Sequence, residues 1–414
     1  MRILILSQNY LPEPGSAAMR MSEMAEYFAS KGHKVTVITA FPNYPEGKIY
    51  KGYRGKVFLK EEIKGVKIIR TFVLTIFRKN KFISRMGCYL SFMLSSIFGG
   101  IAAGKHDLIY FYSPPIFLGI SAHFLSLFYR ICFAVEVNDL WPKAPIALGI
   151  LKNKILIRFA ESLERFVYAK AHKIFLYSNR MRQNLIDIGV PPGKTEIHYL
   201  WVHTDFFSPQ DAEIIVSIRE KFNISNKFIV MYAGNIGLAQ GIGTVIESAC
   251  LLKDKSEITF VLVGGGSERD SLVKRVNEYN LKNVIFIQQQ PLNEMPGLLS
   301  SSAVLLVHLD KAPHRLGTIP AKTLAFMSCG KPILMAAEGE AANLIERSRS
   351  GIVIPPQNAE EMAKAIQTLY NDDNIRKQMG KNGREYAISN FNQKKILQEI
   401  EESFQLMIKK YSRI

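Results

Sequence analysis

Hydrophobic positions in this chain fall into short, nearly unbroken runs separated by stretches with helical spacing. In the first half, residues 2–7, 34–39, 66–72, 108–112, 132–137 and 173–177 are dominated by Val, Ile, Leu and Phe without strict alternation. That is the pattern of parallel strands buried on both faces. Residues 19–30 repeat apolar positions at helical spacing and close at Lys31 and Gly32, filling the crossover that two parallel neighbours require. After a break near Phe207, Ser208 and Pro209 the rhythm restarts, with runs at 228–233, 259–264, 284–288, 304–308 and 333–335. The pattern predicts an α/β fold of two Rossmann-like domains facing across a cleft, over 1–207 and 208–393. An amphipathic helix is expected to close the chain over 394–414. A length of 414 residues suits two such domains.

Charge sharpens the picture because it is unevenly spread. The formal net charge is +17, and residues 1–200 alone carry +15. Residues 48–85 hold 12 bases against only Glu61 and Glu62. A basic first half implies an anionic partner: an acidic membrane leaflet, a phosphorylated acceptor or nucleic acid. No nucleic-acid-binding motif is present, so nucleic acid is not expected. The four cysteines lie far apart in apolar stretches, which predicts buried thiols in a reducing, cytoplasmic compartment. No basic, apolar leader precedes the first strand run.

The strongest chemical signal is the stretch 231–244. A strand run ends at Ala233, and Gly234, Gly237, Gly241 and Gly243 follow with Asn235 and Gln240 among them, before a helical stretch from about Thr244. Glycines let backbone approach a ligand, and a helix start offers N–H groups to phosphate. A dinucleotide fingerprint is absent: the glycines at 264–266 lack the Gly-x-Gly-x-x-Gly spacing and residues 9–20 hold only Gly15. Nicotinamide and flavin are therefore not expected, nor any other cofactor. In the stretch 315–332, Gly317 and Thr318 precede Pro320, which suits the first turn of a helix reaching Ser328. Lys322 falls in that turn, where a cation is unfavourable unless an anion compensates it.

In the first half, Asn138 and Asp139 follow the run 132–137 at the carboxyl edge of the expected sheet, with Trp141 beside them. They are candidates to hold a sugar, although Asp139 equally suits a helix N-cap. Gly15 and Ser16, after the first run, are candidates to meet phosphate through backbone N–H groups. No cluster with metal-ligand spacing is found, and no metal is expected.

Taken in order, these motifs resemble the family 4 glycosyltransferases. They are Pro12-Glu13-Pro14-Gly15-Ser16, Phe41-Pro42-Asn43-Tyr44-Pro45 with Gly52-Tyr53-Arg54, Ser113-Pro114-Pro115, Asp139-Leu140-Trp141-Pro142, Gly234-Asn235-Ile236-Gly237 and Gly317-Thr318-Ile319-Pro320-Ala321-Lys322. The branch that builds bacterial O-antigen and capsular polysaccharide is the most similar. The resemblance implies the GT-B fold, with the C-terminal helix returning to the first domain. It implies transfer of a sugar from a nucleotide diphosphate donor, a UDP-sugar, to a polyprenyl-diphosphate-linked saccharide, with retained anomeric configuration and without a metal. Carried over by position, Gly15, Ser16, Gly234, Asn235, Gln240, Gly317, Thr318 and Lys322 would surround the diphosphate. Ile287 and Gln289 would line the base pocket, and Asn138 and Asp139 would join Lys322 at the reacting sugar. Two glutamates that many members carry fall here at Gly317 and Ala325, so ribose must be held otherwise. Rival readings are a nucleotide-sugar epimerase on the same fold and a silent sugar-nucleotide-binding scaffold.

Residues 86–104 carry no formal charge and follow Arg78, Lys79, Lys81 and Arg85. Ser84, Cys88, Ser91, Ser95 and Gly99 form a small-residue face suited to packing on the protein. Met86, Leu90, Met93 and Ile97 are then expected to face an anionic membrane. The expected location is the cytoplasmic face of the inner membrane, peripheral or monotopic.

Overall fold

The computed structural model describes residues 1–75, 81–147, 149, 151–225, 227–311 and 316–411. The chain divides into two compact units, one of Met1–His198 with Leu397–Ile414 and one of Tyr199–Ile396.

The first unit is built on an eight-stranded sheet. Its strands are β1 (Arg2–Leu6), β2 (Lys34–Ala40), β3 (Phe58–Ile63), β4 (Val66–Thr71), β5 (Leu108–Ser113), β6 (Cys132–Val137), β7 (Lys173–Leu176) and β8 (Thr195–Ile197), in the order β3-β4-β2-β1-β5-β6-β7-β8. All neighbours are parallel except β3, which runs antiparallel on β4. β5 and β6 are buried at every position, so their runs read as continuously apolar rather than alternating. Strands β3 and β8 were not expected. β3 exposes Phe58, Lys60 and Glu62 on one side, the alternating pattern of an edge strand.

The second unit carries β9 (Phe228–Ala233), β10 (Ile258–Val263), β11 (Val284–Ile287), β12 (Val304–His308), β13 (Ile333–Ala336) and β14 (Gly351–Ile354), in the order β11-β10-β9-β12-β13-β14 and parallel throughout. This is the doubly wound order with its switch point between β9 and β12, where such sheets open a crevice at the carboxyl ends of their strands. The five apolar runs after Pro209 map closely onto β9 to β13, and β14 is an additional edge strand.

The unit boundary differs from the expected one at residue 207. Tyr199, Leu200, Val202 and Phe207 pack into the core of the second unit, so the chain enters that unit nine residues earlier. The closing helix, Gln393–Tyr411, begins in the second unit and ends in the first. Its Phe404 ring lies 5.5 Å from Phe28, 5.2 Å from Tyr110 and 5.9 Å from Phe175, so the C-terminal helix does return to the first unit.

The helix Lys81–Ala103 is long and apolar enough over Ser84–Ala103 to cross a membrane by length and composition, yet it packs on β2, β4 and the helix Leu118–Tyr129. Its small residues make that possible. Ser95 Oγ donates to Thr71 Oγ1 at 3.0 Å, and Ser91 Oγ accepts from the Leu74 N–H at 2.8 Å. A Cβ on Gly99 would lie 2.8 Å from Thr71 Cγ2, and one on Gly100 would lie 2.3 Å from Leu125 Cδ1. The expected outward face needs correction. Leu90 is exposed, but Met86, Met93 and Ile97 are half-buried; the helix Leu118–Tyr129 packs on this one, with Ser121 Oγ donating to the Met93 carbonyl at 2.7 Å. The exposed ridge is Leu90, Leu94, Phe98 and Ile101.

Candidate functional site

The structure gathers the candidate residues into two groups, one in each unit. In the second unit, β9 ends at Ala233 and the chain turns through Gly234 at φ +145°. The turn sits against the glycines that follow β10. A Cβ on Gly264 would lie 2.0 Å from the Gly234 carbonyl oxygen, and one on Gly266 would lie 2.2 Å from that of Ile236. The triplet 264–266 is therefore the backing that lets the Gly234 loop sit so close, a role its motif spacing did not reveal.

Lys322, in the first turn of the helix Ala321–Ser328, reaches over this loop. Its Nζ lies 3.9 Å from the centre of the Tyr232 ring and donates to Gln240 Oε1 at 3.4 Å. A Cβ on Gly234 would come within 3.1 Å of it. The Tyr232 hydroxyl donates to the Asn235 carbonyl at 2.7 Å. Gly234, Asn235 and Gln240 of one predicted stretch and Lys322 of another thus form one cluster. Burial lowers the Lys322 pKa from 10.5 to about 7, since desolvation disfavours the ammonium and an aromatic face supplies only part of the missing stabilisation. Pro320 is the N-cap residue rather than part of the first turn. Gly317 is half-buried and Thr318 exposed on the segment entering the helix. Arg315, which opens the motif in the sequence, lies outside the described residues. Ile287 is buried at the end of β11, where its carbonyl accepts from the Gly264 N–H at 3.0 Å, and Gln289 is exposed just beyond. Ala325, the second position lacking a glutamate, is buried in the core.

In the first unit, Gly15 is the N-cap of the helix Ser16–Ser30. The preceding Glu13 is buried and ties two motifs together. One carboxylate oxygen accepts from the N–H groups of Asn43 at 2.6 Å and Tyr44 at 2.9 Å, and the other accepts from Asn9 Nδ2 at 2.8 Å. The distant segments 12–16 and 41–45 are therefore one structural element.

Asn138 belongs to a buried polar network that the sequence did not announce. Glu136, on β6, pairs with Arg20 at 2.5 Å and accepts from the hydroxyls of Tyr110 and Tyr177. The same Tyr177 hydroxyl lies against Asn138 Oδ1, its single proton shared between Glu136 and Asn138, and Asn138 Nδ2 lies 3.4 Å from Glu136. Burial alone would raise the Glu136 pKa, but the Arg20 guanidinium and the hydrogen bonds outweigh it and hold the carboxyl below its usual range. The Asn138 oxygen is thus committed to the scaffold, leaving one N–H for a ligand. Asp139 is exposed, and the next helix begins only at Lys143, so it is not that helix's N-cap. Trp141 meets Phe117 edge to face at 5.6 Å.

Of the basic residues assigned to a membrane, Arg78 and Lys79 lie outside the described residues. Lys81 opens the helix Lys81–Ala103, and Arg85 is exposed on it. Among the described residues, no group of three or more His, Cys, Asp or Glu side chains is placed to hold a metal ion. All four cysteines are free thiols.

Two doubly wound units, the second with a glycine loop and a lysine set for an anion, define a nucleotide-binding α/β protein. Comparison with known families makes the class specific. Residues 15–201 match the Glycosyl transferase 4-like domain, and residues 215–386 match Glycosyl transferases group 1. The chain is a nucleotide-sugar-dependent glycosyltransferase of the family 4 type, with the GT-B fold. WcaI of Escherichia coli, named for colanic acid biosynthesis, is 26% identical over 88% of this chain and 91% of its own length. The Campylobacter jejuni N,N'-diacetylbacillosaminyl-diphospho-undecaprenol alpha-1,3-N-acetylgalactosaminyltransferase is 24% identical over 56% of this chain and 60% of its own length. Among solved structures, Anabaena HepE in complex with UDP superposes with a TM-score of 0.73 at 18% identity, covering 98% of this chain and 100% of that one.

Proposed function

We propose that this glycosyltransferase moves a sugar from a UDP-linked donor to a polyprenyl-diphosphate-linked saccharide, with retained configuration, during synthesis of cell-surface polysaccharide. The observation that carries the donor side is the cluster of Lys322, Gln240, Asn235 and Gly234. A desolvated lysine with no carboxylate partner among the described residues favours an anion, and the adjoining glycine turn lets a ligand approach the backbone closely. A departing nucleoside diphosphate would be met there by fixed dipoles and one cation, so charge developing on its oxygens needs no reorganisation of the site. The acceptor oxygen then bonds to the anomeric carbon, from the face the diphosphate leaves, as the sugar–diphosphate bond breaks; the hydroxyl proton passes to the departing phosphate oxygen, and no side-chain nucleophile is required. The UDP in the HepE structure supports the choice of nucleotide. The lipid-linked acceptor named for the Campylobacter relative supports the acceptor class.

The same reading places the first unit on an anionic bilayer at the cytoplasmic face of the membrane. The helix Lys81–Ala103 packs on Leu118–Tyr129, which packs on Lys154–Lys170. These three neighbours expose large apolar side chains, with Phe98 at 69%, Leu127 at 65% and Ile155 at 76% exposure. Exposed Arg85, Arg130, Lys154, Arg158 and Arg165 lie on or beside them. An apolar patch edged by bases suits anionic lipid headgroups.

Incubation with radiolabelled UDP-sugars and membrane lipid extract tests the activity. Label should enter the organic phase with the wild-type enzyme and not with Lys322→Ala. Donor binding without any transfer, across the common UDP-sugars and acceptor lipids, would instead make the chain a sugar-nucleotide-binding scaffold.

A further inference from the structure

The Gln240–Gly241 turn beside Lys322 is held from beneath by a histidine that no sequence motif singles out. His308, the last residue of β12, is fully buried. Its Nδ1 lies 2.8 Å from the Gln240 carbonyl oxygen, and its Nε2 lies 3.3 Å from the Gln357 backbone nitrogen. The carbonyl can only accept and the backbone N–H can only donate, so the ring is neutral with its proton on Nδ1. Burial lowers its pKa, which favours the same neutral form. Gly241 lies directly on the ring. It takes a left-handed φ of +56°, and a Cβ there would come within 2.6 Å of the imidazole Cε1 and 2.8 Å of Nδ1. A second bond from the same strand exit, from the Asp310 N–H to the Ala239 carbonyl at 3.2 Å, holds the turn one residue earlier.

We propose that His308 is a positioning residue for the donor diphosphate: its Nδ1–H fixes the Gln240–Gly241 turn against the Lys322 ammonium. The proposal rests on the donor site described above and adds a residue that would not touch the donor itself. Without that hydrogen bond, the half-buried Gln240 carbonyl loses its imidazole donor and the turn is free to re-aim the Gln240 side chain. The support comes from β12, at the switch point of the sheet. One strand of the crevice thus shapes the loop that follows the other.

Two isosteric amides separate positioning from a general need for a buried polar group. In His308→Asn the amide nitrogen takes the place of Nδ1 and can still donate to the Gln240 carbonyl; in His308→Gln the amide oxygen takes the place of Nε2, accepting from the Gln357 N–H, and the Nδ1 donor is lost. Binding of UDP by calorimetry, and kcat and KM for donor and acceptor, are measured for both variants alongside thermal unfolding. His308→Asn should stay within about threefold of the wild-type donor KM. His308→Gln should raise donor KM and the UDP Kd about tenfold or more, with acceptor KM unchanged, the size expected for one buried hydrogen bond left unmade. Equal donor KM values for the two variants would overturn the proposal, as would equal loss of affinity. A wild-type enzyme that binds no UDP would overturn both this proposal and the donor site. Loss of binding in Lys322→Ala with none in His308→Gln would overturn this proposal alone.

Discussion

Donor binding should take up a proton at Lys322, and the pH dependence of affinity follows from that. In the free site burial lowers the Lys322 pKa from 10.5 to about 7, so above neutrality the amine is mostly uncharged. A bound diphosphate favours the ammonium and returns its pKa toward the ordinary range. Affinity should therefore be greatest at and below pH 7 and fall about tenfold for each pH unit above it, roughly thirtyfold by pH 8.5. The unliganded protein has the opposite dependence. Between about pH 7 and 10.5 the unfolded chain holds the Lys322 proton and the folded chain does not, so this residue makes stability rise with pH. Thermal stabilisation by donor should accordingly shrink over a range where the free protein gains stability. Calorimetry at pH 8.5, in buffers of different ionisation enthalpy, counts the protons directly. A nucleotide sugar is the right titrant because its diphosphate has no terminal phosphate to titrate near neutrality. The wild-type enzyme should take up nearly one proton, and Lys322→Met should take up none and bind with a pH-independent affinity. The lost charge-assisted hydrogen bond should cost about 1.5–3 kcal/mol near neutrality. A wild-type Kd that is flat from pH 7 to 9, or the same proton uptake in Lys322→Met, would refute the reasoning.

Three other perturbations have defined outcomes. The protein should float with anionic liposomes at low salt, release at high salt, and lose binding when Leu94, Phe98, Leu127 and Phe159 become serine; wild-type protein that stays soluble beside anionic vesicles would end the membrane reading. Glu136→Gln should cost about 3–5 kcal/mol in urea unfolding because Arg20 is left buried without its counter-charge, whereas a loss under about 1 kcal/mol would show that the network relaxes. Sugar transfer should persist in excess chelator, since Lys322 in the first turn of its helix supplies positive potential at the diphosphate; activity lost there and restored by magnesium or manganese would contradict this.

What could be read from the sequence was what is local along the chain. Strand β9, the glycine turn and the helix start lie within the stretch 228–251, so Gly234, Asn235 and Gln240 could be named from spacing alone. Lys322 could be named because a cation in a helix's first turn is unusual in itself. Contacts made by folding could not be named. His308 meets Gln240 across 68 positions, and Arg20 meets Glu136 across 116. Tyr232 reads as one more buried strand residue until the lysine is seen above its ring. The search for continuous apolar runs also passed over β3, whose alternation marks an edge strand. For the helix Lys81–Ala103, periodicity correctly gave the small-residue face at Ser91, Ser95 and Gly99. It could not give the direction of the neighbouring helix, and that neighbour decides whether Met93 or Phe98 meets solvent.

The helix Gln393–Tyr411 also sets an order of events during synthesis. The first unit is interrupted: its last piece, Leu397–Ile414, is translated only after Tyr199–Ile396. At ribosomal rates of about 5–20 residues per second, those intervening residues delay completion by roughly 10–40 s. Throughout that interval the seat of Phe404 on Phe28, Tyr110 and Phe175 is unfilled, and the nascent sheet presents an aromatic hollow beside an already apolar outer face. A chain cut short before Leu397 would therefore leave the first unit unfinished, a ready client for a holdase chaperone.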